Sequence, residues 1–68
     1  MTFSEHLIWL RRERNVKQQE IAAGTGLSLR AYQYYERGQR EPQLSALIAL
    51  ADFYELSLDE LVCRERHG

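Results

Sequence analysis

Sixty-eight residues make one domain, and a chain this short buries only a modest share of its surface, so association into a dimer is plausible on size alone. A composition 44% hydrophobic and 28% charged argues against a disordered chain, the single cysteine, Cys63, excludes an internal disulfide, and no leader or long apolar run is present, so the chain is expected to be soluble and cytoplasmic. The net charge of −1 excludes a uniformly basic molecule but hides a division: residues 1–43 sum to +2 and residues 44–68 to −3, so only the N-terminal part is suited to meet phosphate.

Helices are expected at about residues 3–13, 18–24, 29–36, 44–54 and 58–63. Thr2-Phe3-Ser4-Glu5 has the form of a capping box, in which hydroxyl and carboxylate reciprocally satisfy two free amides at a helix start. In the helix that follows, Phe3, Leu7 and Leu10 form an apolar stripe, with Glu5, His6, Arg12 and Glu13 off it. Ile8 and Trp9 are apolar residues outside the stripe. Another helix is expected to cover them, the alternative being a subunit interface. Asn15-Val16 reads as a tight turn with an apolar plug, and residues 18–23 as a short second helix that Gly24-Thr25-Gly26 breaks. Ser28 can cap a third helix, in which Tyr32 and Tyr35 share the inward face and Leu29, Arg30, Gln33 and Tyr34 point outward. Gly38 ends it. A polar loop through Pro42 leads to the most hydrophobic segment, with Leu44, Leu47, Ile48, Leu50, Ala51 and Tyr54 at helical spacing. Ser57-Leu58-Asp59-Glu60 is a second capping box, opening a fifth helix that presents Leu58, Leu61 and Val62 to the core. No β-alternation occurs, so the fold is expected to be all-α: a compact five-helix bundle forming a single domain.

Two short helices joined by a glycine-containing turn, the second carrying outward polar side chains, form the arrangement that lets a helix enter the DNA major groove. Many small helical domains share that geometry, so taken alone it leaves the function open.

The segment from Leu10 through Arg11-Arg12-Glu13-Arg14-Asn15-Val16-Lys17-Gln18-Gln19-Glu20-Ile21 to Ala22, then Gly26-Leu27-Ser28, Tyr35-Glu36-Arg37-Gly38, Pro42 and Leu56-Ser57-Leu58-Asp59-Glu60-Leu61 resemble the Cro/phage-repressor family of XRE-type helix-turn-helix regulators. The resemblance runs without a gap from about residue 7 to 62. It implies a lambda-repressor-like domain whose second and third helices bind double-stranded DNA, as a homodimer on a palindromic operator. It also implies base contacts from Ser28, Leu29, Arg30, Gln33 and Tyr34, and the chemistry is suitable: arginine can pair with a guanine edge, glutamine with adenine, and leucine can pack on a thymine methyl. Tyr34 could contact a base or a phosphate. Phosphate contacts map onto Lys17, Gln18, Arg37, Gln39, Arg40 and Gln43, with Gln18 foremost because it opens a helix whose free amides favour anions. Lys17 departs from the family, which commonly has Ser or Thr there as a cap; lysine gives up that acceptor while adding a cation. Arg11 and Glu36 are implied as an ion pair that sets how the DNA-reading helix sits, and Ala22 as a small residue at a close helix crossing. The family places Tyr32 and Tyr35 in the core, which leaves only Tyr34 exposed and argues against a stacking platform for single strands.

His6, Cys63 and His67 have no metal-ligand spacing, and no phosphate loop, nucleophile elbow or paired carboxylates occur, so neither metal, cofactor nor catalysis is expected. A transcriptional regulator, repressor or activator, is the leading reading. The alternative is an antitoxin-like or anti-regulator module that grips a protein partner, favoured by Ile8, Trp9 and the low net charge. A dimer interface is implied at Leu58, Val62 and residues 63–68.

Overall fold

The structure, a computed structural model, describes residues 2–62, so residues 63–68 of the expected dimer interface, Cys63 and His67 among them, lie outside the described residues. Five helices follow in order: α1 (Phe3–Arg14), α2 (Gln18–Thr25), α3 (Leu29–Glu36), α4 (Leu44–Tyr54) and α5 (Leu58–Leu61), with no strand among the described residues. α1 packs on α3 and α5, α2 on α3 and α4, and α4 on α5.

Local chemistry sets most helix ends. The Glu5 amide donates to Thr2 Oγ1 at 3.2 Å and the Thr2 amide to Glu5 Oε1 at 3.0 Å; Ser57 and Glu60 repeat the exchange at 3.1 and 3.0 Å. Three helices leave through the same left-handed device. At Asn15 (φ +54°), Gly38 (φ +71°) and Glu55 (φ +56°) the chain reverses, and the next residue's amide reaches back five residues, Val16 to Arg11, Gln39 to Tyr34 and Leu56 to Ala51. Asparagine and glycine tolerate this conformation; glutamate does so only at a cost.

The two glycines of α2 act differently from the sequence reading. Only Gly26, at φ +78°, ends the helix. Gly24 lies inside it, and a Cβ there would stand 2.6 Å from Phe53 Cε1, so its role is to let α2 lie against the ring of α4.

Leu7, Leu10, Ile21, Tyr32, Leu50, Ala51, Tyr54 and Leu61 form the core, with Phe3, Val16, Leu27, Tyr35, Leu47, Phe53 and Leu56 packed around it. Several expectations about the apolar faces need correction. His6, placed off the stripe by spacing, is buried, and its Nε2 lies 3.0 Å from the Glu60 carbonyl, tying α1 to α5. No helix covers Trp9, which is 47% exposed and stacks on the His6 ring at 5.7 Å between centroids. Leu44, Ile48 and Leu58 are likewise exposed rather than inward. The reason is geometric: helical spacing identifies a candidate face, but a helix as short as α5 or at the margin of a small bundle has too few neighbours to cover every apolar position on it.

Candidate nucleic-acid interface

The turn between α2 and α3 is three residues long, Gly26-Leu27-Ser28. Gly26 reverses the chain, Leu27 packs against the core, and Ser28 Oγ accepts the Ala31 amide at 3.0 Å to start α3. α3 is then held from behind. Tyr32 is wholly buried, and one turn later Glu36, 7% exposed, brings a carboxylate into the interior.

That carboxylate is satisfied by four hydrogen bonds from three elements. Oε2 accepts from Arg11 Nε at 2.7 Å and from Tyr32 Oη at 2.5 Å; Oε1 accepts from Arg11 Nη2 at 3.2 Å and from Gln18 Nε2 at 3.0 Å. Burial pushes the Glu36 carboxyl up, but the bonds from Arg11, Tyr32 and Gln18 outweigh it and hold the group below the ordinary carboxylate range. Burial and the bond to Glu36 together push the Tyr32 phenol far up, so it stays a neutral donor. Arg11 on α1, Gln18 opening α2 and Glu36 closing α3 therefore lock the three helices around one charge.

The network continues to the surface. Gln33 Nε2 donates to Gln18 Oε1 at 3.1 Å, so the amide named foremost for phosphate is also the bracket between Glu36 and a residue of the outward face of α3. One Gln33 N–H and its carbonyl have no hydrogen bond to other described residues, which preserves the donor–acceptor pair that adenine requires.

The outward surface of α3 is two rows at four-residue spacing. Leu29 and Gln33 border an open groove shared with Lys17, Gln18 and Gln19 at the start of α2. Arg30 and Tyr34 border a second concavity with Ser28 and Arg40. Ser28 and Arg30 are exposed, while Leu29, Gln33 and Tyr34 are partly covered by their neighbours. Lys17, Arg37, Gln39, Arg40 and Gln43 are all exposed. Lys17 opens α2 without a side-chain cap, and only the returning bond from its amide to Glu20 Oε1, 3.1 Å, is made.

Some of this was not read from the sequence. Arg14, counted among the basic residues, donates to the Tyr54 carbonyl at 3.1 Å and lies over the Tyr54 ring, so it joins α1 to the end of α4. Tyr34 lies against two guanidinium groups, Arg30 one turn before it and Arg40 six residues after it, the second brought there by the turn at Gly38. Among the described residues no group of three or more His, Cys, Asp or Glu side chains could hold a metal ion, and no helix is long and apolar enough to cross a membrane.

A short helix, a three-residue glycine turn and a second, capped helix with a buried back and a polar front define a helix-turn-helix domain. The family model described as helix-turn-helix matches residues 7–61, and the chain belongs to this family, in its Cro/phage-repressor (XRE) branch. Among curated relatives, the cryptic phage CTXphi transcriptional repressor RstR of Vibrio cholerae is 40% identical over 60 residues, 88% of this chain and 54% of that protein. The transcriptional regulator AnsR of Bacillus subtilis is 39% identical over 62 residues, 91% of this chain and 53% of that protein. The chain thus spans about half the length of the curated relatives it matches. Among solved structures, a transcriptional regulator from Listeria innocua superposes with a TM-score of 0.85 at 34% identity, covering 98% of this chain and 63% of that one. The P22 c2 repressor in complex with a synthetic operator superposes with a TM-score of 0.84 at 26% identity, covering 91% of this chain and 94% of that one. The described residues thus form an all-α, five-helix domain whose structural neighbours are lambda/P22-like repressor helix-turn-helix domains.

Proposed function

We propose that this domain binds double-stranded DNA sequence-specifically as a transcriptional regulator, with α3 in the major groove. The observation that carries the reading is the two-sidedness of α3. Its back is anchored by Tyr32 and the Glu36 network, while its front presents Arg30, Gln33, Tyr34 and the thymine-sized apolar Leu29 from a rigid base. Ser28, Leu29, Arg30, Gln33 and Tyr34 face base edges. Lys17, Gln18, Arg37, Gln39, Arg40 and Gln43 face phosphate, the first two where α2 presents free amides and the positive end of its dipole. Similarity to a repressor solved with operator DNA supports the same docking.

The active form is a homodimer in the cytoplasm on a palindromic operator, with half-sites about one helical turn, ~34–36 Å, apart. Selection from a random duplex library tests this directly: the expected product is an inverted repeat of that spacing. Affinity for the selected duplex falls steeply with salt. If Lys17, Arg37 and Arg40 of each of two subunits meet phosphate, the slope of log K on log salt is about −5. A slope near zero, or no enrichment over input, would refute the proposal. Trp9, exposed on α1 beside His6, keeps a protein contact of the antitoxin or anti-regulator kind as the second reading. A chain that captures a protein partner but never shifts DNA supports that reading instead.

A further inference from the structure

Arg30 Nε donates to Tyr34 Oη at 3.2 Å, and the Arg30 guanidinium lies 5.9 Å from the Tyr34 ring centroid. Arg40, from the loop beyond the left-handed turn at Gly38, lies over the same ring at 5.0 Å. We propose that Tyr34 is a specificity-determining positioning residue: from its place beside the base edges it presets Arg30 for guanine and seats Arg40 for the adjoining phosphate. This inference rests on the DNA-binding reading and adds to it a division of labour within α3.

The geometry of the guanidinium is the reason. A tyrosine hydroxyl at Nε occupies the inner edge of the planar group and leaves the outer fork, Nη1 and Nη2, without a hydrogen bond to any other described residue. With Nε already occupied, that fork is the donor pair left to meet O6 and N7 of guanine. An exposed arginine on a flexible stem otherwise samples many rotamers, and ordering it on binding costs affinity that a preset side chain does not lose. The ring also holds two like charges near one another, an arrangement that a phosphate relieves and that free solution does not favour. Row geometry agrees: Arg30 and Tyr34 are one turn apart on the same face, so the bracket forms within α3 and requires no rearrangement of the core.

Tyr34→Phe isolates the hydroxyl, because it keeps the ring and hence the Arg40 contact. In the DNA-free protein, the Arg30 Nε–Hε resonance is expected to be distinct from that of a solvated arginine in the wild type and to collapse onto it in Y34F. In duplex selection, Arg30→Ala identifies one guanine position per half-site, and Y34F lowers preference at that position alone by about five- to tenfold. An Arg30 resonance indifferent to Y34F overturns the inference while leaving DNA binding standing, and so does a Y34F protein with wild-type preference at the guanine position. A uniform loss of affinity across all sequences also overturns it, since that marks Tyr34 as a phosphate contact. A wild-type protein that enriches no sequence, with the resonance behaving as expected, instead refutes the DNA-binding reading on which the inference rests.

Discussion

Replacing Glu36 by Gln removes one negative charge while keeping the shape of the side chain, and the structure says what the amide can and cannot satisfy. Each carboxylate oxygen accepts two bonds, one of them from Arg11 in both cases. Whichever way the amide is turned, its NH2 group faces an Arg11 donor that has no lone pair to offer. Tyr32 can rotate its hydroxyl to accept, and Gln18 can flip its amide, but the flip sacrifices its bond from Gln33. At least one charge-assisted bond and the ion pair are lost. Hydrogen bonds to a charged group contribute about 1.5–3 kcal/mol, and breaking a buried pair costs about 3–5. The Arg11 side chain is 23% exposed, so water recovers part of the loss, and the lower end, about 2–3 kcal/mol, applies. In a domain of this size that shift corresponds to a fall in Tm of roughly 10–20 °C.

The pH dependence supplies a second readout. Because the folded carboxyl is held below its unfolded value, its contribution is fully present above the unfolded pKa of about 4.3 and is lost as pH falls through the folded pKa. Thermal unfolding followed by circular dichroism is therefore expected to show wild type and E36Q far apart at pH 7 and converging below about pH 4. A gap under about 0.5 kcal/mol at pH 7, smaller than one ordinary hydrogen bond, or a gap independent of pH, would refute the reasoning. Replacing both partners by apolar residues, as in R11M/E36L, should recover much of the stability, because neither charge is then left buried alone.

Other substitutions separate stability from binding. Lys17→Ser supplies the missing cap of α2 and should stabilise by about 1 kcal/mol in chemical denaturation, while reducing the salt slope by about 1 per subunit. Glu55→Gly relieves the left-handed backbone at the end of α4 and should stabilise by about 0.5–1 kcal/mol, with DNA affinity unchanged. Gly24→Ala gains helix propensity but drives a methyl into Phe53, for a net loss of about 1 kcal/mol; with Phe53→Leu in the background the same change should become neutral or stabilising. Leu50→Ala, at the wholly buried centre of α4, should cost about 2–5 kcal/mol and leave little folded protein at 37 °C.

The helix starts were legible because capping is a contact between residues three apart, and the Thr2–Glu5 and Ser57–Glu60 exchanges depend on nothing else in the chain. The same holds for the exit at Asn15 and the break at Gly26, where residue type and backbone conformation are directly coupled. The two rows on α3 were also legible, since periodicity alone puts Arg30 beside Tyr34 and Leu29 beside Gln33.

Tertiary structure decided which apolar positions are covered. Leu44, Ile48 and Leu58 carry the same spacing signal as their buried neighbours, and only the placement of the other helices leaves them, together with the off-stripe Trp9, in water while it buries His6. It also decided what each polar group does. Gln18 was legible as an anion contact from its place at a helix start, but its bonds to Glu36 and Gln33 join residues 18 and 15 positions away. Gly24 looks like a helix breaker until Phe53 is seen beside it. Short-range hydrogen bonding is written into adjacent residues, whereas burial and long-range pairing are properties of how the helices pack, and no local pattern contains them.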